Sequence, residues 1–146
     1  MKVNFKKLDK NAHEPTYGSQ YAAGADLYAL TGGEKILFEP GETKMIHTGL
    51  AVEIPEGYAG LVYARSGIAT KRGLAPANKV GVIDSDYRGE VMVSLHNHSS
   101  SVQEIADGER IAQLVIAPFL SAEFIECDEL SDTVRGEGGF GSTGKK

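Results

Sequence analysis

The sequence is poor in the residues that build cross-linked, membrane-spanning or secreted proteins. Its 146 residues include one cysteine, Cys127, which excludes an internal disulfide and a zinc site made of cysteines. The longest uninterrupted apolar run is Leu114–Leu120, which is too short to cross a bilayer. The first residues, Met1–Lys7, carry lysines but no apolar segment of the kind that a secretory signal needs. We therefore expect a cytoplasmic protein with no membrane partner.

Positive charge and tryptophan are also scarce, whereas glycine is abundant. The 15 Lys and Arg against 20 Asp and Glu give a net charge of −5, which argues against a nucleic-acid partner. There is no tryptophan, and 18 residues are glycine. This glycine content predicts many turns and short strands rather than helices.

Three stretches carry strong strand patterns. Thr43–Ile54 and Glu90–His96 alternate apolar and polar residues, which is typical of half-buried strands, and Ile111–Ala117 is almost continuously apolar, as in a strand buried on both faces. Shorter runs predict further strands at Val3–Leu8, Asp26–Leu30, Lys35–Phe38, Tyr58–Tyr63 and Glu123–Ile125.

One short helix is predicted over Ser66–Lys71, with Ser66 near its N-cap and Gly73 after its end. Many short strands at close spacing favour an all-β sandwich, jelly roll or barrel. We expect one β domain over residues 1–134, followed by a flexible glycine-rich arm over residues 135–146.

The arm has one apolar residue, Phe140, between glycines, and Arg135 precedes it. A frayed terminus is the simpler interpretation. The alternative is a lid that orders over a ligand with a flat face and a phosphate. Gly139–Lys145 resembles a phosphate-binding P-loop, but the final Ser or Thr and the following helix are missing, so an ATPase is excluded.

Two segments combine charge and turn residues. Arg65, Ser66 and Gly67 open the helix and suit an anion, although an ordinary helix start with a surface arginine is equally consistent. Gly81–Gly89 places Asp84 after an apolar strand, either as a turn former or as a base that accepts a proton from water. In the second case Tyr87 packs against a ring or sugar.

The basic residues between Arg65 and Arg88 outnumber the acidic ones, which gives a polyanionic small molecule a place to bind. Asp26 is a capping residue or a candidate near a divalent cation. Gln113 is more often a structural hydrogen-bonding residue than a ligand contact. His96 and His98 lie on one strand face, and surface histidines are preferred over a metal site.

Five segments, in order along the chain, resemble the five motifs of the homotrimeric dUTPases (dUTP diphosphatases). They are Ala23–Leu27, Pro55–Gly73 with Arg65-Ser66-Gly67 inside it, Asn78–Glu90, Gly108–Leu114 and Arg135–Gly144. Any one match could be chance, but five collinear matches that span most of the chain are specific.

The resemblance implies a jelly-roll-like all-β subunit, and a homotrimer with active sites at the subunit interfaces. It implies hydrolysis of dUTP to dUMP and pyrophosphate, which limits uracil incorporation into DNA and supplies dUMP for thymidylate synthesis. The implied cofactor is Mg²⁺.

The resemblance also assigns roles to residues. Asp84 is the catalytic base, and Asp26 contacts the metal through water. The other implied substrate-binding residues are Asn78, Val82 and Ile83 for uracil, Tyr87 for deoxyribose, Met92 lining the same pocket, Arg65, Ser66, Gly67 and Gln113 for phosphate, and Arg135, Phe140 and Gly141 in the closing arm.

Three other functions are alternatives to this one. A dCTP deaminase shares the fold but requires a different pocket. A non-catalytic nucleotide-binding module does not require Asp84. A structural or carbohydrate-binding jelly roll explains the strands but neither the basic segment nor the arm.

Overall fold

A computed structural model describes residues 1–139 as short antiparallel strands with one helix. The strands are β1 Asn4–Lys7, β2 Thr16–Tyr17, β3 Ala25–Tyr28, β4 Ile36–Phe38, β5 Thr43–His47, β6 Leu50–Glu53, β7 Tyr58–Ala64, β8 Leu74–Pro76, β9 Gly81–Ile83, β10 Met92–Asn97, β11 Gln103–Ile105 and β12 Arg110–Pro118, and helix α1 is Ser66–Arg72. The all-β, jelly-roll-like prediction is confirmed. Among residues 1–139, no helix is long and apolar enough to cross a membrane.

The strands form four antiparallel sheets. The largest has the order β2-β3-β12-β7-β9, so the long apolar strand β12 lies in its centre. A second sheet has the order β5-β10-β8, and two further pairs join β1 with β6 and β4 with β11. Between these sheets lies a continuous apolar core whose fully buried side chains include Leu27, Phe38, Ile46, Leu95 and Ile111. Burial of these side chains supplies the main stabilisation of the fold.

The predicted single strand over residues 43–54 is wrong, because it is two strands separated by a break at Thr48 and Gly49. Gly49 has a φ of +69°, and a Cβ there would overlap Leu30 and Ala12. Only glycine fits this left-handed position with so little space around it. The alternating pattern hid the break because Thr48 is also buried, with its hydroxyl donating to the Val91 carbonyl at 2.5 Å.

Helix α1 begins and ends close to the predicted positions, but its N-cap is Arg65, which makes no side-chain capping hydrogen bond. Ser66 is the first helical residue and directly follows the N-cap, so the prediction that it lies near the N-cap is confirmed. Gly73 ends the helix with a φ of +68°, as the sequence predicts, and its N–H donates to carbonyls of the last turn.

Residues 119–134 follow β12 as an extended segment with no regular secondary structure, so the strand predicted at residues 123–125 is wrong. Leu120, Phe124 and Ile125 are 97%, 96% and 78% exposed. Large apolar side chains at this exposure contribute nothing to the core of their own chain. We name residues 119–134 the outer segment.

Candidate active site

A cavity of about 250 Å³ lies beside β9 and the loop that leads to β10. Six of the residues implied by the sequence line it, namely Asn78, Val82, Ile83, Asp84, Tyr87 and Met92. We name it the hairpin cavity. Its wall is placed by pairing of β9 with β7, in which Val82 lies opposite Leu61.

The loop after β9 is a tight turn. The Tyr87 N–H donates to the Asp84 carbonyl at 3.2 Å, and the Arg88 guanidinium donates to the Ser85 carbonyl at 2.7 Å. The Tyr87 hydroxyl donates to the Glu90 carbonyl at 3.0 Å. Asp84 is exposed and, among the residues described, its carboxylate makes no ion pair or hydrogen bond. A free carboxylate at the edge of a cavity is available to orient and deprotonate water.

Glu90 also lines the hairpin cavity, and no local sequence pattern predicts its contacts. Its carboxylate accepts a hydrogen bond from the Gly49 N–H at 2.8 Å and lies 2.9 Å from Nδ1 of His47. Partial burial by itself raises the pKa of Glu90, but the hydrogen bonds with His47 and Gly49 more than offset this, so the pKa lies below its ordinary value. The partners are more than forty positions away in sequence, where no local pattern could reveal them.

A second cavity of about 200 Å³ lies where β3, β12 and the start of α1 meet. Asp26, Arg65, Ser66, Gly67 and Gln113 line it, together with Arg110, which sequence reasoning did not select as a site residue. We name it the arginine cavity. Strand register explains the grouping, because Gln113 of β12 lies opposite both Asp26 of β3 and Tyr63 of β7.

Asp26 is buried and links the two arginines of this cavity. Oδ1 accepts a hydrogen bond from Nε of Arg65 at 2.7 Å, and Oδ2 accepts one from Nη1 of Arg110 at 3.2 Å. Two guanidinium groups with one carboxylate leave a net positive charge, so the cavity suits an anion such as phosphate.

Gln113 makes a structural hydrogen bond, which is the more common role of such a residue in a buried strand. Its amide Nε2 donates to the Ala64 carbonyl at 2.8 Å. A Cβ at Gly24 would overlap this side chain, which explains why glycine stands there. The amide nevertheless lines the arginine cavity and remains available to a ligand.

The arginine cavity fits a metal ion that keeps several water ligands and needs few protein ligands. Residues 1–139 contain no group of three or more His, Cys, Asp or Glu that could enclose a metal. Mg²⁺ commonly keeps several waters and takes one or two carboxylates together with substrate phosphates. Each oxygen of Asp26 retains a lone pair beyond its guanidinium bond, so Asp26 can accept a hydrogen bond from metal-bound water.

The remaining predicted residues lie elsewhere. Arg135 is exposed and lines neither cavity, and its Nε donates to the Gly138 carbonyl at 2.7 Å. Phe140 and Gly141 lie outside the described residues. His96 on β10 and His98 just after it meet edge to face with ring centroids 4.3 Å apart, and His96 Nδ1 bonds the Thr43 hydroxyl.

The two cavities share no lining residue. The predicted residues for a base and sugar therefore lie in one cavity, and those for phosphate lie in another.

Comparisons with known proteins agree in a single family. The family model described as dUTPase matches residues 10–144. The deoxyuridine 5'-triphosphate nucleotidohydrolase of Nautilia profundicola is 54% identical over 145 residues, covering 99% of this chain and 100% of its relative. The corresponding protein of Hydrogenobaculum sp. is 46% identical, with both chains covered completely.

Solved structures give the same result. The Staphylococcus bacteriophage 80alpha dUTPase with dUPNHPP superposes with a TM-score of 0.88 at 33% identity, with 98% of each chain covered. A dUTPase from phage phi11 of S. aureus, described as showing the coordination of a structural Mg(II) ion, has a TM-score of 0.80 at 27% identity, covering 90% of this chain and 100% of the other. The family model matches most of this chain, and relatives with 46% to 54% identity match it along its whole length. The chain therefore belongs to the dUTPase family.

Proposed function

We propose that this protein hydrolyses dUTP to dUMP and pyrophosphate. The observation that carries the proposal is the hairpin cavity, which joins a free carboxylate, Asp84, to Asn78 and Tyr87. Family membership and relatives named for this activity support it. In the cell the reaction would limit uracil incorporation into DNA and supply dUMP for thymidylate synthesis.

The hairpin cavity would take the nucleoside. Asn78 and backbone groups near Val82 and Ile83 would hydrogen-bond uracil, and Met92 would line the pocket. Tyr87 would pack against the deoxyribose and leave no room for a 2'-hydroxyl. The hairpin that follows β9 would likewise leave no room for a 5-methyl group on the base.

The arginine cavity would take the triphosphate. Arg65, Ser66, Gly67 and Gln113 would hold phosphate oxygens through charge and hydrogen bonds. Mg²⁺, held through water by Asp26 and by the triphosphate, would supply neutralisation of the charge that develops on the departing pyrophosphate. Asp26 would also keep Arg65 oriented towards the phosphates through its 2.7 Å hydrogen bond.

Asp84 would act as the general base. Its carboxylate would accept a proton from a water molecule that attacks the α-phosphorus in line with the leaving pyrophosphate. The closing arm over residues 135–146, separate from the β domain of residues 1–134, would stack Phe140 over uracil and bring Gly141 and Arg135 to the phosphates. Closure excludes water and aligns the reactants.

A homotrimer with interfacial sites would unite the two cavities. One substrate must touch both residue sets, and a cavity on one chain can face the other cavity on a second chain. The outer segment supports assembly because Phe124 and Ile125 are exposed without partners in the described part of their own chain. Its charged residues are all acidic, whereas β1, an edge strand paired only with β6 among the described strands, carries Lys6 and Lys7.

The test is pyrophosphate release from dUTP, dCTP, dTTP and UTP, each with Mg²⁺ and with EDTA. We expect rapid release from dUTP alone and its loss in EDTA. Ammonia from dCTP would instead indicate a deaminase. Binding of dUTP without turnover of any substrate would indicate a non-catalytic binding protein.

A further inference from the structure

Glu90 ties the loop of the hairpin cavity to the region where β5 passes into β6. Its carboxylate bonds the Gly49 N–H at 2.8 Å and His47 Nδ1 at 2.9 Å; His47 is the last residue of β5, and Gly49 lies in the two-residue break before β6. The Glu90 side chain is 22% exposed, which makes this the more protected partner of the pair with His47. A partly buried carboxylate that makes two hydrogen bonds restricts the movement of the backbone of its residue.

The backbone of Glu90 in turn holds the Tyr87 ring. The Tyr87 hydroxyl donates to the Glu90 carbonyl at 3.0 Å, and the ring reaches this carbonyl across Gly89. A Cβ at Gly89 would overlap the Tyr87 hydroxyl and ring, so the close approach requires glycine. The direction of the ring therefore depends on where the Glu90 backbone lies.

We propose that Glu90 is a positioning residue for substrate selection: because His47 and Gly49 hold its carboxylate in place, its backbone carbonyl holds Tyr87 in the orientation that excludes a 2'-hydroxyl. The inference rests on the proposed function, in which Tyr87 packs against deoxyribose. Glu90 touches no reacting atom in this scheme and acts through Tyr87.

The structure separates this role from a role in folding. The next residue, Val91, is held independently, because its N–H donates to the Leu50 carbonyl at 2.7 Å and its carbonyl accepts the Thr48 hydroxyl at 2.5 Å. Loss of the Glu90 carboxylate should therefore loosen the loop that faces the cavity while β10 stays paired.

The experiment measures kcat and KM for dUTP and UTP in the wild type, Glu90→Ala, Glu90→Gln, Tyr87→Phe and the double variant Glu90→Ala/Tyr87→Phe. For Glu90→Ala we expect KM for dUTP to rise about tenfold and the preference for dUTP over UTP to fall by a similar factor, with a smaller change in kcat. Glu90→Gln should restore most of the preference, since its amide oxygen still accepts the Gly49 N–H.

The double variant decides whether Glu90 acts through Tyr87. Its loss of preference should be no larger than that of the worse single variant, and independent effects that multiply would overturn the inference. Glu104→Ala, which removes an exposed carboxylate paired with Lys35 at 2.7 Å, is the matched control and should leave both KM values unchanged. An equal change in that control would also overturn the inference.

Failure of the proposed function gives a different result. In that case the wild type itself would not release pyrophosphate from dUTP. The positioning role of Glu90 is then tested by crystal structures of the wild type and Glu90→Ala. A Tyr87 ring in the same place in both would overturn the positioning role, and a displaced ring would support it.

Discussion

Arg65, which directly follows β7, meets Asp26 of β3 across the intervening strand β12, and its Nε donates to Oδ1 of Asp26 at 2.7 Å. Arg110 takes the other oxygen of the same carboxylate. This one buried carboxylate therefore holds two guanidinium groups from different elements, and the proposed phosphate site in the arginine cavity depends on it.

Replacement of Asp26 by Asn keeps the shape of the side chain but leaves two guanidinium groups without their shared countercharge. We expect unfolding free energy to fall by about 1.5–3 kcal/mol and kcat/KM for dUTP to fall as Arg65 loses its orientation. Urea denaturation and steady-state kinetics measure the two effects. Glu104→Gln, which weakens an exposed ion pair, should cost about 1 kcal/mol or less. Equal losses in both variants would remove the special role of Asp26.

Asp84→Asn tests the proposed base. The variant retains a similar shape but cannot accept a proton from water, so kcat should fall by about 10²–10⁴-fold while dUTP still binds. Asp86→Asn is the matched control, since it removes a carboxylate from the same turn and should leave kcat near the wild-type value. Near-normal turnover of Asp84→Asn would exclude Asp84 as the base.

Phe140→Ala, or deletion of residues 135–146, tests the proposed closing arm. Turnover should fall because the substrate is no longer shielded and aligned, whereas the melting temperature and the assembly should change little. Pyrophosphate release, thermal unfolding and light scattering give the three readouts. If the deletion unfolds the protein, these residues are structural and the lid proposal fails.

A substitution in the outer segment, unlike the arm variants, should change the assembly. Phe124→Ser removes an apolar side chain that is almost fully exposed in the single chain. It should therefore shift the assembly towards smaller species, with activity falling in parallel. Leu37→Ser, at an exposed position of β4, is the control and should leave the mass in solution unchanged.

Asp107 gives a prediction about pH. The Thr31 N–H donates to its carboxylate at 2.6 Å, and this hydrogen bond with others from the same turn holds the pKa of Asp107 below its ordinary value despite some burial. A carboxyl with a lowered pKa in the folded state stabilises the fold above its unfolded pKa, and this contribution is lost as pH falls through the folded pKa. The stability difference between the wild type and Asp107→Asn should thus shrink below about pH 4. Urea midpoints at pH 3 to 7 measure it, and a constant difference would contradict the prediction.

The sequence predicts those features that depend on local patterns. The apolar run of β12, the glycine after α1 and the turn around Asp84 follow from periodicity and turn chemistry, and most of the motif residues among those described fall into two cavities. Contacts between distant segments were not predictable in this way. The bond between Glu90 and Gly49 joins two segments far apart in sequence, and no pattern in either segment shows that they meet.

The pattern itself misled at one place. Thr48 is a polar residue that is buried because a distant carbonyl accepts its hydroxyl, so it preserved the alternation across the break between β5 and β6. The outer segment shows the opposite case, since Phe124 and Ile125 have the composition of a strand but no partner strand among residues 1–139. In both cases the outcome depends on an interaction that lies outside the local segment.

The separation of Asp84 and Arg65 into different cavities has a genetic consequence. If each complete site combines one cavity from each of two chains, an allele damaged in the hairpin cavity and another damaged in the arginine cavity would complement each other. Mixed oligomers would contain some sites with both undamaged halves, although neither allele alone would produce any. Conversely, a subunit damaged in both cavities would have a dominant-negative effect, since it would inactivate two sites in every assembly that contained it.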